Sequence, residues 1–112
     1  MRSRVPIGAG YSPEQVERGV SAISRCEAWE YANRDACEHI ESLFLKRVEA
    51  GKVVSGAWLV QRARKRSFVD REGNDTRINN DFAPIIARKL KRKYPQYAHL
   101  VETRRSVFDW LC

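Results

Sequence analysis

Apolar positions recur with helical spacing in four stretches of the chain. The first, SPEQVERGVSAIS, opens with Ser12 as N-cap, Pro13 at the first helical position and Gln15 at the third, a capping-box arrangement. Val16, Val20 and Ile23 mark its apolar face. Ser24 with Glu27 repeats the capping pattern, which predicts a break or a short second helix through Trp29 and Tyr31. The second stretch, ACEHIESLFLKRVEAG, follows Asp35, with Glu38 three residues on. It places Cys37, Ile40, Phe44 and Val48 in register on one face, Leu43 widens that stripe, and Gly51 supplies the stop.

Residues 52–54 form a short β-favouring connection, after which Ser55 caps the third stretch, GAWLVQRARKR. Here Trp58, Leu59, Val60 and Ala63 are apolar, and Arg62, Arg64, Lys65 and Arg66 are basic, so one face packs and the other is positive. The fourth stretch starts at Asn79, Asn80 and Asp81, all good N-caps, and tolerates Pro84 in its first turn. Pro95 ends it near Lys93 by disfavouring helical geometry at Tyr94. Phe82, Ala83, Ile86, Ala87, Leu90 and Tyr94 gather on one side. Arg88, Lys91 and Arg92 are expected to point away from the core, Lys89 and Lys93 to flank the stripe, and Ile85 to stand exposed near Arg92.

Two regions break the helical period. SFVDREGNDTRI alternates around a turn centred on residues 72–75, which predicts a small hairpin or a structured loop, with its acids serving turn chemistry rather than an ion. AHLVETRRSVFDWLC reads either as strands, forming a wing tipped by Arg104 and Arg105, or as a closing helix. We favour a short helix after Pro95 and then an extended tail anchored by Phe108 and Trp110. Were those two rings exposed, they would mark a protein interface, such as a homodimer contact. Residues 1–11, with Pro6, Gly8 and Gly10, read as a flexible arm carrying Arg2 and Arg4. Residues 12–112 then make a single helical domain.

Composition adds little to this outline until charge is considered. A 112-residue chain that is 43% apolar and 31% charged suits one globular domain. No run reaches membrane-span length and the first residues lack the apolar core of a signal peptide, so the expected location is cytoplasmic. The three cysteines, Cys26, Cys37 and Cys112, are odd in number and widely separated, and are read as half-buried or free thiols. Neither a C-x-x-C nor an H-x-x-x-H pair exists, and the expectation is no metal and no cofactor. His39 reads as a surface histidine.

The basic excess is concentrated in one half of the chain. Residues 1–50 carry seven Lys and Arg against eight Asp and Glu, a net of −1, whereas residues 51–112 carry fourteen against six, a net of +8. Together with a sequence pI of 9.7, that asymmetry favours a polyanionic partner. Two consecutive basic amphipathic segments, residues 57–66 and 82–93, follow the apolar scaffold segment at residues 36–50. That order resembles a helix-turn-helix or winged-helix domain. The resemblance is to the fold and carries no sequence signature; the segment at residues 67–81 is much longer than the tight turn of the standard motif. It implies a mainly α protein: a compact helical domain with a helix-turn-helix or winged-helix-like core, a small β-hairpin or structured loop, and residues 82–93 as the recognition helix.

No Gly-rich phosphate loop, nucleophile elbow, histidine pair or nuclease-like carboxylate cluster occurs, and the expectation is a non-enzymatic protein. The leading reading is a small basic protein that binds double-stranded DNA. It would be a transcription regulator or a replication or recombination accessory factor, of a size that suits a phage or mobile element. Arg62, Arg66, Arg88, Lys91, Arg92 and Arg104 are the candidate phosphate contacts, Arg105 enlarges the same nucleic-acid-binding patch, and Asn79, Asn80 and Lys89 are the candidates to approach bases. The competing reading is an interaction protein or inhibitor that docks its basic face on an acidic protein partner.

Overall fold

Ser24 does not interrupt the first helix. The computed structural model describes residues 10–112, so Arg2, Arg4 and most of the expected arm lie outside the described residues. In it α1 (Pro13–Ala32) runs as one 20-residue helix from the Ser12–Gln15 capping box. Its buried residues are Gly19, Ala22 and Cys26, whereas the expected face is only half-buried at Val16 and Ile23, and Val20 is 53% exposed. Close approach explains the change: a Cβ added at Gly19 would lie 2.6 Å from Leu111 Cδ1. Small residues make this contact, and a hydropathy stripe does not register them.

One residue, Asn33, joins α1 to α2 (Arg34–Glu49). The expected cap at Asp35 is displaced to Asn33, whose side-chain nitrogen donates to the Trp29 carbonyl at 2.8 Å instead of capping the new helix. The face of α2 forms as its spacing predicts, with Ala36, Ile40, Phe44 and Val48 buried and Cys37 and Leu43 half-buried.

Strand β1 (Val54–Ser55) leads into α3 (Gly56–Ala63), where Ser55 Oγ accepts from the Trp58 amide at 3.1 Å. The predicted hairpin follows. Strands β2 (Phe68–Val69) and β3 (Asp75–Thr76) pair antiparallel, with Gly73 at a φ of 84° in the turn. The Asp70 carboxylate accepts from the amides of Glu72 and Asn74, both at 2.9 Å, so this acid serves the turn.

Asn79 then accepts from the Asp81 amide at 2.8 Å and starts a 3-10 turn, Asn80–Phe82, that continues into α4 (Ala83–Lys93). The stripe through Phe82, Ala83, Ile86, Ala87 and Leu90 is buried as expected. Ile85 is a correction: it is wholly buried rather than exposed. The reason is that α4 packs against α3 and also against the 3-10 helix, β4 and α5 of the C-terminal segment, so more than one stripe of it is covered.

That segment is a 3-10 helix, Pro95–Leu100, then β4 (Val101–Glu102) and, after residues 103–107, α5 (Phe108–Leu111). β4 lies parallel to β1, with Val54 opposite Val101 and Ser55 opposite Glu102. The short helix after Pro95 is present, but the chain ends in a helical turn rather than an extended tail. Phe108 packs against the core, whereas Trp110 is 50% exposed and does not anchor the terminus.

The architecture is thus mainly helical with two small two-stranded sheets. One core receives residues from α1 through β4, with Cys26, Phe44, Leu59, Val60 and Ile85 at its centre. Each large apolar side chain fully buried there contributes about 1.5–3 kcal/mol relative to exposure. Among the described residues no helix is long and apolar enough to cross a membrane.

Candidate nucleic-acid interface

The entry of α4 sits on a ridge between two open grooves, which share Pro84 and Ser106. One groove runs between α1, the start of α4 and the segment before α5. Its α1 wall carries Gln15, Arg18, Ala22 and Arg25, spaced three and four residues apart and therefore on one helix face. Its other walls carry Asn80 and Asp81 from the 3-10 turn that leads into α4, and Arg105 from the C-terminal segment. Arg18, Arg25, Asn80 and Arg105 are all exposed. Among the described residues none of the three arginines makes an ion pair, and the single carboxylate in the groove is that of Asp81.

The second groove has a floor of small residues, Gly56, Ala57, Ala83 and Ala87, with Arg104 and Glu102 on its far wall. Arg104 is exposed. Gly56 permits this arrangement, because α3 meets α4 there without a side chain between them.

Arg88 does not point away from the core, as its position on the helical wheel implied. It is 8% exposed and all three guanidinium nitrogens are engaged. Nε and Nη2 donate to Asp109 Oδ1 at 2.9 and 2.7 Å, Nη1 donates to the Pro84 carbonyl at 2.9 Å, and Nη2 also donates to the Arg104 carbonyl at 2.7 Å. A backbone hydrogen bond from Ser106 first, and then the Arg88 guanidinium, hold the Asp109 carboxyl below the usual carboxylate value against the opposing effect of burial. Four of its five N–H groups are thus used within the protein, and its burial keeps the guanidinium from serving as a surface phosphate contact.

Lys89 is likewise engaged within the protein. Its Nζ lies 2.5 Å from Glu30 Oε1, bridging α4 to α1. Burial by itself lowers the Lys89 pKa, but the hydrogen bond and charge of Glu30 outweigh it and leave the group above the usual lysine value. Lys93 pairs with Glu41 at 2.7 Å, and the Tyr94 hydroxyl bonds the same carboxylate. The hydrogen bond from Lys93, followed by that from Tyr94, pulls the Glu41 pKa down. Of the basic residues on α4, Arg92 is exposed and Lys91 half-exposed, and among the described residues neither has an ion-pair partner.

Arg62 and Arg66 are exposed as expected but lie elsewhere. Gly56, at the start of α3, faces the second groove, and the eight-residue length of α3 separates that groove from its arginine-bearing end by about 12 Å. Arg66 stacks over Phe68 at 5.1 Å and approaches His39 Nδ1 at 3.4 Å. Burial first, and then the Arg66 charge, push the His39 pKa below its ordinary value. Neighbouring Arg64 donates from Nε and Nη2 to the Ile78 carbonyl at 2.9 and 2.6 Å, fixing the hairpin's exit to α3.

The structure thus brings together Asn80 and Arg105 at one groove and sets Arg104 at the next. Asn79 lies exposed beside them with its side-chain oxygen used as a cap, while Arg62 and Arg66 form a separate patch. Arg18 and Arg25, absent from the sequence-derived set, are seven residues apart and about 20° apart on a helical wheel. That spacing is a signal in the sequence that places both on one face once α1 runs unbroken through Ser24. Comparison of the chain with family models, with curated proteins and with solved structures finds no match.

Proposed function

We propose that this is a small non-enzymatic nucleic-acid-binding protein that takes double-stranded DNA across the ridge at the start of α4. In this reading α2, α3 and α4 are the three helices of a helix-turn-helix-like unit, with the β2–β3 hairpin inserted before the third. Asn80 approaches base edges or a phosphate at the helix entry, while Arg18, Arg25, Arg104 and Arg105 neutralise backbone on both sides. Such a module would regulate transcription or assist replication or recombination.

The observation that carries the reading is the convergence of Arg18, Arg25 and Arg105 around the exposed Asn80, without an ion pair among the described residues. Lys89 and Lys93, by contrast, are paired with acids on neighbouring helices. Preference for a duplex is supported by the walls of the groove, whose two aromatic rings, Tyr11 and Phe108, are half-buried rather than presented for base stacking.

Fluorescence-anisotropy titration of a random-sequence duplex tests the proposal. With about five phosphates neutralised, affinity falls several hundred-fold between roughly 50 and 200 mM salt. Absence of binding at the lowest salt rejects the reading and redirects attention to an acidic protein partner.

A further inference from the structure

We infer that Arg88 is a positioning residue for the nucleic-acid face: it latches the segment bearing Arg104 and Arg105 onto the first turn of α4. The inference rests on the DNA-binding reading and adds a residue that does not itself touch the ligand.

Residues 103–106 form neither helix nor strand. A segment of this kind loses backbone freedom on being ordered, and if it is loose beforehand that loss is charged against binding. Here it is tied down in advance. Arg88 Nη2 donates to the Arg104 carbonyl at 2.7 Å, and the Ser106 amide donates to Asp109 Oδ2 at 2.9 Å. The other oxygen of the same carboxylate receives both Nε and Nη2 of Arg88. The Phe108 amide in turn donates to Ser106 Oγ at 3.1 Å.

The remaining guanidinium contact gives the latch its direction. Arg88 Nη1 donates to the Pro84 carbonyl, one turn back along α4. Pro84 and Ser106 are the two residues common to both grooves. One buried side chain therefore connects the wall that carries Asn80 to the wall that carries Arg104 and Arg105. Arginine is suited to this role because its planar fork reaches a carboxylate and two carbonyls at once, which a lysine ammonium does not reproduce.

Asp109→Asn and Arg88→Met test the inference in the full chain. Asp109 is 41% exposed and asparagine keeps its size and one acceptor oxygen for Arg88, so the fold should persist, which a thermal melt verifies. Limited trypsin digestion with mass-spectrometric site assignment reads the segment directly, since Arg104 and Arg105 are themselves cleavage sites. Cleavage at these two positions should accelerate about tenfold or more in both variants, relative to tryptic sites elsewhere in the chain. Duplex affinity at fixed salt should fall about tenfold, the cost of ordering the arginine-bearing segment only on binding.

Asp109→Asn makes the test selective. Removing an acid beside a DNA-binding face tightens binding if charge alone matters, whereas loss of the latch weakens it. Unchanged cleavage at Arg104 and Arg105 overturns the inference. So does faster cleavage with unchanged or tighter binding, in a background where the unmodified protein binds duplex. Failure of the unmodified protein to bind is a different result: it removes the DNA reading and the positioning role with it, while the digestion still reports whether the latch orders the segment.

Discussion

Gly56 lies against the carbonyl of Ala83 so closely that a Cβ at position 56 would sit 2.0 Å from that oxygen. The atom in the way is backbone, so no side-chain rotation relieves the clash. Gly56→Ala should therefore force α3 and α4 apart and destabilise the fold by about 2 kcal/mol or more. Urea unfolding followed by circular dichroism checks this. A variant as stable as the parent would mean that the two helices do not cross where the structure places them.

Lys89 and Arg105 should respond in opposite ways to truncation. Lys89→Ala removes a partly exposed ion pair with Glu30 and should cost only about 0.2–1 kcal/mol of stability, reduced further by salt, with little change in duplex affinity. Arg105→Ala should leave stability unchanged and weaken duplex binding by several-fold at low salt. Paired melts and anisotropy titrations distinguish the two, and equal losses of affinity would return Lys89 to the contact surface.

His39 should titrate below the ordinary histidine value of 6.5, because burial and then the Arg66 guanidinium disfavour its charged form. A depressed folded value means that the unfolded chain binds the proton more readily. The stability contributed by neutral His39 is present above about pH 6.5 and is lost as the pH falls through the folded value. NMR titration of the imidazole measures this. In Arg66→Ala the value should rise but stay below 6.5, since burial remains the larger cause; no movement would place Arg66 out of range of the ring.

Cys26 is wholly buried, and burial, the largest cause, pushes its thiol up to about 12. Native protein at pH 8 should leave Cys26 unlabelled by an aromatic disulfide reagent until it is unfolded. Rapid labelling of Cys26 under native conditions would show that α1 opens from the core.

The sequence disclosed most where signals were local. The Ser12 and Ser55 caps, the stripe of α2, the Asn79 cap, the limit set by Pro95 and the β2–β3 turn depend on neighbours within a few residues, and each is present. Arg88 was illegible because its ligands are set by tertiary packing: Asp109 stands 21 residues away on a helix whose docking no periodicity announces. Ile85 departs from its expected exposure for the same reason: a single-stripe helical wheel assumes one packing partner, and α4 meets both α3 and the C-terminal segment. Gly19 and Gly56 carry no hydropathy signal, although they determine how closely α1 meets α5 and α3 meets α4. The α1 wall of the groove is hard to read from sequence because Arg18 and Arg25 lie in the half of the chain whose net charge is −1.

Whether the groove at the entry of α4 takes up a duplex is read from the salt dependence of duplex affinity in the parent chain and in the Arg18→Ala, Arg25→Ala, Arg105→Ala triple variant. If these three arginines each neutralise a phosphate, the slope of log affinity against log salt should become shallower by about 2.7 in the variant, with an unchanged melting curve. A parent that binds with the same slope as the variant would contradict the groove at the entry of α4 as the nucleic-acid face.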